Sequence, residues 1–238
     1  MIVILFIYIL IFIMKLDKFE FYNLNYIDLI KSKNNKIIFV LGGPGVGKGT
    51  QCEKLANEFN IININVGNLL RNIIKDEENK IIRLNKLRKD KIKECIKNGE
   101  IIPPRITVKI IINEIIKNIG LMQNNKNMII IDGFPRNIGN MKLFMKFLKN
   151  KSNIQIKECI YFNTSDEILL ERILNRAKTS KRIDDNIESF NKRLLIFKNN
   201  TIPVINEFKK MEILKEINAS RSINEIYNNF RKEILKFM

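Results

Sequence analysis

The run Gly42-Gly43-Pro44-Gly45-Val46-Gly47-Lys48-Gly49-Thr50 carries the clearest chemistry in the chain. Glycines at this spacing let the backbone pass through conformations that a Cβ would obstruct, so successive N–H groups can turn inward around a phosphate. Ile37 to Leu41 before the run is apolar and strand-like, and Gln51 to Phe59 after it has helical spacing. The loop therefore joins a strand to a helix whose amino terminus presents the positive end of its dipole. Lys48 supplies a mobile cation for β- and γ-phosphates. A glycine-rich turn with no ligand is the competing reading, and the strand, the helix and the lysine in register weigh against it. Gly49 stands where the general form of such a loop has Ser or Thr. Without that hydroxyl, Mg2+ would be held mainly by phosphates and water.

A second set of charged residues follows. Met128 to Ile131 reads as a strand ending in Asp132-Gly133-Phe134-Pro135-Arg136-Asn137. An acidic residue at the carboxyl end of a strand faces the ligand crevice of an open sheet, where it can order waters around Mg2+. Arg136 can fork onto a phosphate. An Asp-Gly turn beside an arginine is also common surface sequence, and alone it decides nothing. Arg172 and Arg176, four residues apart, share a helical face. Lys178, Arg182 and Arg193 come next. Taken singly, each reads as solvated basic surface; their joint order is what argues for a phosphate site.

These residues need a scaffold that brings distant segments to one edge. From Lys36 onward, short β-branched runs alternate with longer amphipathic stretches, the pattern of an α/β fold in which helices cover a parallel sheet. Strands are predicted at Ile37–Leu41, Ile61–Ile64, Met128–Ile131, Cys159–Phe162 and Leu214–Ile217. Near-continuous Ile and Val in the first and third predict burial on both faces. Capping-box spacing predicts helix starts at Thr164/Glu167, Asp185/Glu188 and Ser222/Glu225. Arg71 to Lys97 predicts helices joined by a polar turn near Asp76 to Asn79, and Gln123 to Asn127 reads as a loop.

Composition narrows the chemistry. The absence of histidine from all 238 residues removes Ser-His-Asp catalysis, imidazole bases and His-containing zinc sites. Cys52, Cys95 and Cys159 are too far apart for a CxxC pair and are predicted to be reduced, partly buried thiols. A net charge of +17 asks for anionic partners, nucleotides and nucleic acid alike, although over-used Lys, Asn and Ile place part of that charge on a solvated surface. A basic RNA-binding protein is thus a rival reading. Tryptophan is absent and no interleaved aromatic motif offers a base-stacking platform, so nucleic acid is not the expected partner. Ile2 to Met14 is unbroken apolar sequence, short of the roughly 20 residues a spanning helix needs. A targeting segment, an uncleaved interfacial anchor with membrane contact and a misassigned start codon are its three readings.

The loop form Gly-x-Pro-Gly-x-Gly-Lys-Gly-Thr resembles that of the nucleoside monophosphate kinase family. So do Gly67-Asn68-Leu69-Leu70-Arg71, Gly99-Glu100-Ile101-Ile102-Pro103, the Asp132 to Asn137 segment, and Lys178 to Asn186 with Arg193. The resemblance runs from about Lys36 to the carboxyl terminus. It implies a P-loop NTPase fold with a central parallel five-stranded sheet, a helical NMP-binding insert at about 65–105 and a short lid at about 177–187. Residues 35–238 would form the kinase domain and 1–34 an extension. ATP would be bound by Gly43, Gly45, Val46, Gly47, Lys48, Gly49, Thr50, Arg172, Lys178 and Arg221. The acceptor would meet Arg71, Glu100, Ile101, Ile102, Gly133, Phe134, Arg136, Asn137, Asn140, Arg182 and Arg193. Lys48, Arg136, Arg176, Arg182 and Arg193 would surround the moving phosphoryl group, with Mg2+ as cofactor and Asp132 reaching it through water.

Asn68 replaces the family's acidic residue and leaves the support of Arg71 open. Pro104 and Arg105 are unusual, and Ala177 and Lys181 stand where glycine is common. No cysteine cluster exists for a zinc-bearing lid. Asn137 and Asn140 occupy places where adenylate kinases have Gln and UMP/CMP kinases have Asn, and Val66 lacks the hydroxyl adenylate kinases carry. A carboxamide pairs with uracil or cytosine. The expected acceptor is UMP or CMP, with dCMP allowed and AMP the alternative. A cytoplasmic monomer is expected.

Overall fold

Ile37, Ile38, Phe39, Val40 and Leu41 are each at most 1 % exposed, which a strand achieves only with a layer packed on each face. They form β1 (Lys36–Gly42), the middle of a five-stranded sheet ordered β2-β3-β1-β4-β5. The other strands are β2 (Ile62–Asn65), β3 (Met128–Asp132), β4 (Gln155–Asn163) and β5 (Leu214–Asn218). Every pairing is parallel. The structure is a computed structural model and describes residues 34–76, 84–121, 128–151, 153–179 and 186–238. Ile2 to Met14, Gln123 to Asn127, Glu77 to Asn79, Lys181, Arg182 and Asp185 lie outside the described residues.

Side chains alternate across the sheet as a period of two requires. Ile37, Phe39, Leu41, Ile129 and Ile131 enter one apolar layer with α2 (Val66–Lys75), α3 (Lys86–Asn98), α4 (Pro104–Leu121), α5 (Ile138–Lys151) and α8 (Ile202–Lys210). Ile38, Val40, Ile130 and Ile160 enter the other with α1 (Lys48–Phe59), α6 (Asp166–Ala177), α7 (Ile187–Ile196) and α9 (Ile223–Leu235). The predicted α/β architecture and all five predicted strands are present, and the three cysteines are free and fully buried.

Strand order reverses at β1, whose neighbours β3 and β4 come from opposite sides, so the chain parts at its carboxyl end and leaves a crevice. The segment after β3 is anchored there by Phe134, 1 % exposed, whose ring lies 5.3 Å from that of Phe144 and 6.2 Å from that of Phe39. Burying one such ring contributes about 1.5–3 kcal/mol, and here it fixes the loop that carries Arg136.

The predicted helix starts fare differently. Ser222 and Glu225 form a reciprocal capping box on α9. Thr164 caps nothing: α6 begins after Ser165, and the Thr164 hydroxyl is buried without a protein partner. On α7 the cap is Asn186, whose side chain accepts from the Ser189 N–H, one residue beyond the predicted Asp185. Asn and Asp are equally good caps, so spacing alone could not separate two adjacent ones.

Candidate active site

The glycine loop sits between β1 and α1, as the sequence requires. Gly47 takes φ 96° as the residue before α1, and Gly45 takes φ 86°. A Cβ on Gly45 would stand 2.7 Å from the Leu169 carbonyl oxygen of α6, a backbone atom that cannot yield. The same helix holds the loop from the other side, where the Arg172 guanidinium donates to the Val46 carbonyl at 3.2 Å. Arg172 thus braces the loop, while Arg176, one turn on, lines the cleft above it.

Lys48 curls back over the loop and donates to the carbonyls of Gly42 at 2.8 Å and Gly43 at 3.0 Å. Burial pushes its pKa down to about 8; Asp132 pulls it up, and Arg136 and Arg193 push it down. Those four side chains share one space. A cleft of about 530 Å³ is walled by Pro44 to Thr50, Asp132, Arg71, Arg136, Arg176 and Arg193. Arg71 and Arg136 therefore face the glycine loop across a cavity, as a shared phosphoryl group requires.

A second pocket opens beside it. Arg71, Glu100, Ile101, Ile102, Gly133, Phe134, Arg136, Asn140 and Arg193 line it, together with Val66, Leu70 and Thr107. Its walls come from α2, α3, the start of α4 and the segment after β3. Asn68 does support Arg71: its carboxamide oxygen accepts from the guanidinium at 2.6 Å. A neutral acceptor replaces the acidic one without releasing the arginine.

Hydrogen bonds on its side chain and its backbone hold Arg136. Its Nε donates to the Gly133 carbonyl at 3.1 Å, its N–H to Asn140 Oδ1 at 3.3 Å, and its carbonyl accepts from the Thr201 hydroxyl at 2.9 Å. Asn137 and Asn140 divide their work. Asn137 Oδ1 accepts from the Asn140 N–H at 2.7 Å and caps α5, and Asn137 is not a wall of either pocket. Asn140 is 1 % exposed, and its amide nitrogen is buried without a protein partner beside the second pocket. A buried donor left unmade costs about 1–3 kcal/mol, so this one is poised for a ligand acceptor.

The structure does not bring Lys178 or Arg221 to the cleft. Lys178 is exposed and bonded to Asn175, and Arg221 is exposed ahead of α9. Gly43 borders a different pocket, beside Phe162 and Leu169, and Arg182 is outside the described residues. Among the residues that the sequence did not predict, two bond the charged groups of the site. Asn65 donates to Asp132, and Thr201 sits in a π-helical turn, Phe197–Thr201, that continues α7. The alternation Ile-Asn-Ile-Asn in β2 was a signal for the first. Nothing in the sequence marks the second.

Asp132 closes the site. It is 4 % exposed at the carboxyl end of β3. Among the described residues no group of three or more His, Cys, Asp or Glu side chains is placed to hold a metal ion. A buried carboxylate beside a phosphate cradle suits a hydrated Mg2+ held chiefly by substrate oxygens.

The comparisons agree with this geometry. The family model described as adenylate kinase matches residues 40–213. The uridylate kinase of Saccharomyces cerevisiae is 38 % identical over 198 residues, 83 % of this chain and 90 % of the yeast protein. The UMP-CMP kinase of Sus scrofa is 35 % identical over 83 % of this chain and 95 % of its own length. That of Homo sapiens is 35 % identical over 81 % and 93 %. With the phosphate loop and the two facing arginines all falling inside the matched residues 40–213, the chain belongs to the adenylate kinase family.

Proposed function

We propose that the chain transfers the γ-phosphoryl group of ATP to a pyrimidine nucleoside monophosphate, UMP or CMP, with dCMP as a further acceptor. The observation that carries this reading is the single cleft in which Lys48 and the glycine loop face Arg71 and Arg136. The names of the relatives, uridylate kinase and UMP-CMP kinase, support the pyrimidine.

Phosphoryl transfer needs alignment and charge neutralisation more than covalent help, which is why a chain without histidine can perform it. The loop N–H groups and Lys48 hold the donor phosphates, Arg71 and Arg136 hold the acceptor phosphate, and Arg176 and Arg193 approach the group in flight. The resemblance assigns Arg182 to the same group of cations. Asp132, with the ATP phosphates, would hold Mg2+ through its waters, and the ion would supply neutralisation of the developing charge there. Closure of the lid excludes water, which otherwise competes as acceptor. The unpartnered Asn140 amide nitrogen reads the acceptor base, and Asn137 sets the helix turn that presents it.

The test is an acceptor panel of UMP, CMP, dCMP and AMP at equal concentration with a coupled ADP readout. UMP and CMP lead if the reading holds. AMP as best acceptor overturns the assignment of Asn140. Residues 1–34 we propose to be an address or anchor on a catalytic domain that works in the cytoplasm; full soluble activity after their deletion is the expected result.

A further inference from the structure

Asn65 and Asp132 are the last residues of neighbouring strands, and they are register partners in the sheet. Their side chains meet there, Asn65 Nδ2 donating to Asp132 Oδ2 at 2.5 Å. The other half of the same carboxamide is also used, because Asn65 Oδ1 accepts from the Asn68 N–H at 2.9 Å and so caps α2. This second bond fixes the orientation of the amide. A backbone N–H can only donate, so the oxygen must face Asn68 and the NH2 must face the carboxylate.

The pair also packs on the phosphate loop. A Cβ at Gly49 would lie 3.3 Å from Asn65 Nδ2 and 3.6 Å from Asp132 Oδ2. The room left by the residue after Lys48, where the general loop has a hydroxyl, is thus bordered by the amide and the carboxylate it holds. On the far side the contacts continue: Asn68, whose N–H Asn65 engages, binds the Arg71 guanidinium through its own side chain at 2.6 Å. One path of hydrogen bonds runs from the carboxylate on the donor side to the arginine on the acceptor side.

We propose that Asn65 is a positioning residue for phosphoryl transfer, holding the Asp132 carboxylate in its working rotamer and tying it to the helix that carries Arg71. Only a side chain with a donor and an acceptor on one rigid group does both. Serine and threonine cap a helix about as well as asparagine but are too short to keep a direct bond to Asp132. The inference rests on the reading of Asp132 as the carboxylate that orders the metal's waters.

Asn65→Ser and Asn65→Thr separate positioning from capping, and either suffices if the other fails to fold. The expected result is a melting temperature close to that of the unaltered protein with kcat lowered about tenfold, as for loss of a hydrogen bond to a charged group, and an unchanged KM for ATP. Calorimetric titration with ADP supplies a readout without turnover. In EDTA the affinity stays within about twofold, while the gain in affinity on adding Mg2+ shrinks by about tenfold. Unchanged kcat, with or without a lower melting temperature, makes Asn65 a helix cap only and overturns the proposal. Equal loss of affinity in EDTA and in Mg2+ overturns it too, since the damage then lies in the phosphate cradle. Asp132→Ala is measured alongside: if it retains kcat, the reading of Asp132 fails, whereas an inactive Asp132→Ala beside an unaffected Asn65→Ser sinks the role of Asn65 alone.

Discussion

The two halves of the cleft are built by different means. On the donor side the phosphate cradle is nine consecutive residues, largely backbone, clamped by Leu169, Ile173 and Arg172 of one helix. On the acceptor side the pocket is side chains from α2, α3, α4 and the segment after β3, held by polar contacts such as Asn68 to Arg71 and Thr201 to Arg136. A backbone cradle is set by local geometry and tolerates little substitution, whereas a side-chain pocket is adjustable one residue at a time. The adjustable half is the one that must distinguish acceptors.

The largest effect expected is at the point where the halves meet. On the proposed mechanism Lys48→Met removes the cation shared by donor and moving phosphoryl, and kcat should fall by about 10³-fold or more, as for loss of an arginine finger, equally with every acceptor. Arg71→Ala touches one half only. Losing charge-assisted bonds to the acceptor phosphate should cost about 10²-fold in kcat/KM for the acceptor, with ATP affinity by calorimetry unchanged. A matching loss of ATP affinity would erase the division between the two halves.

The pH profile sharpens the contrast. Because the Lys48 ammonium has its pKa lowered to about 8 by burial, and the protonated form is the one that attracts phosphates, kcat/KM for ATP should decline above about pH 8, tenfold per unit at the limit. Lys48→Arg should abolish that limb, since a guanidinium stays charged. Thr201→Val should act more weakly, lowering kcat/KM for the acceptor about fivefold, the value of one neutral hydrogen bond, without moving ATP affinity.

The smallest effect on turnover is expected at Glu158, on β4 away from the cleft. Burial and the neighbouring Glu233 raise its pKa to about 7, against the pull of Lys236 and Lys215. A carboxylate whose folded pKa lies above its unfolded value of 4.5 binds more protons when folded, so its cost to stability grows from about pH 4.5 to 7 and is full above that. Glu158→Gln should raise the melting temperature at pH 8 by about 2–8 °C, from a gain of about 1–2 kcal/mol. The gain should vanish near pH 4, with kcat unchanged.

The donor half was legible because its determinants are contiguous. The strand, the glycines and Lys48 lie within one short stretch, and φ values of 86° and 96° at Gly45 and Gly47 are what such a loop demands. Much of the acceptor half was legible only through the resemblance of scattered segments to a known family. The contacts within it were not: Asn137, expected to meet the acceptor, has its Oδ1 on the Asn140 N–H at the start of α5. Outside that half, Thr164 was predicted to cap α6 and caps nothing. Capping choices between adjacent polar residues turn on small energies that packing overrides.

The alternation that makes a parallel sheet, the strands buried on both faces and the phosphate loop all follow from local sequence, because each depends on residues near in the chain. Which side chains share the cleft is set by the packed fold. Asn65 meets Asp132 across 67 positions and Thr201 meets Arg136 across 65, and contacts of that reach follow from strand order and helix packing, which no local pattern records.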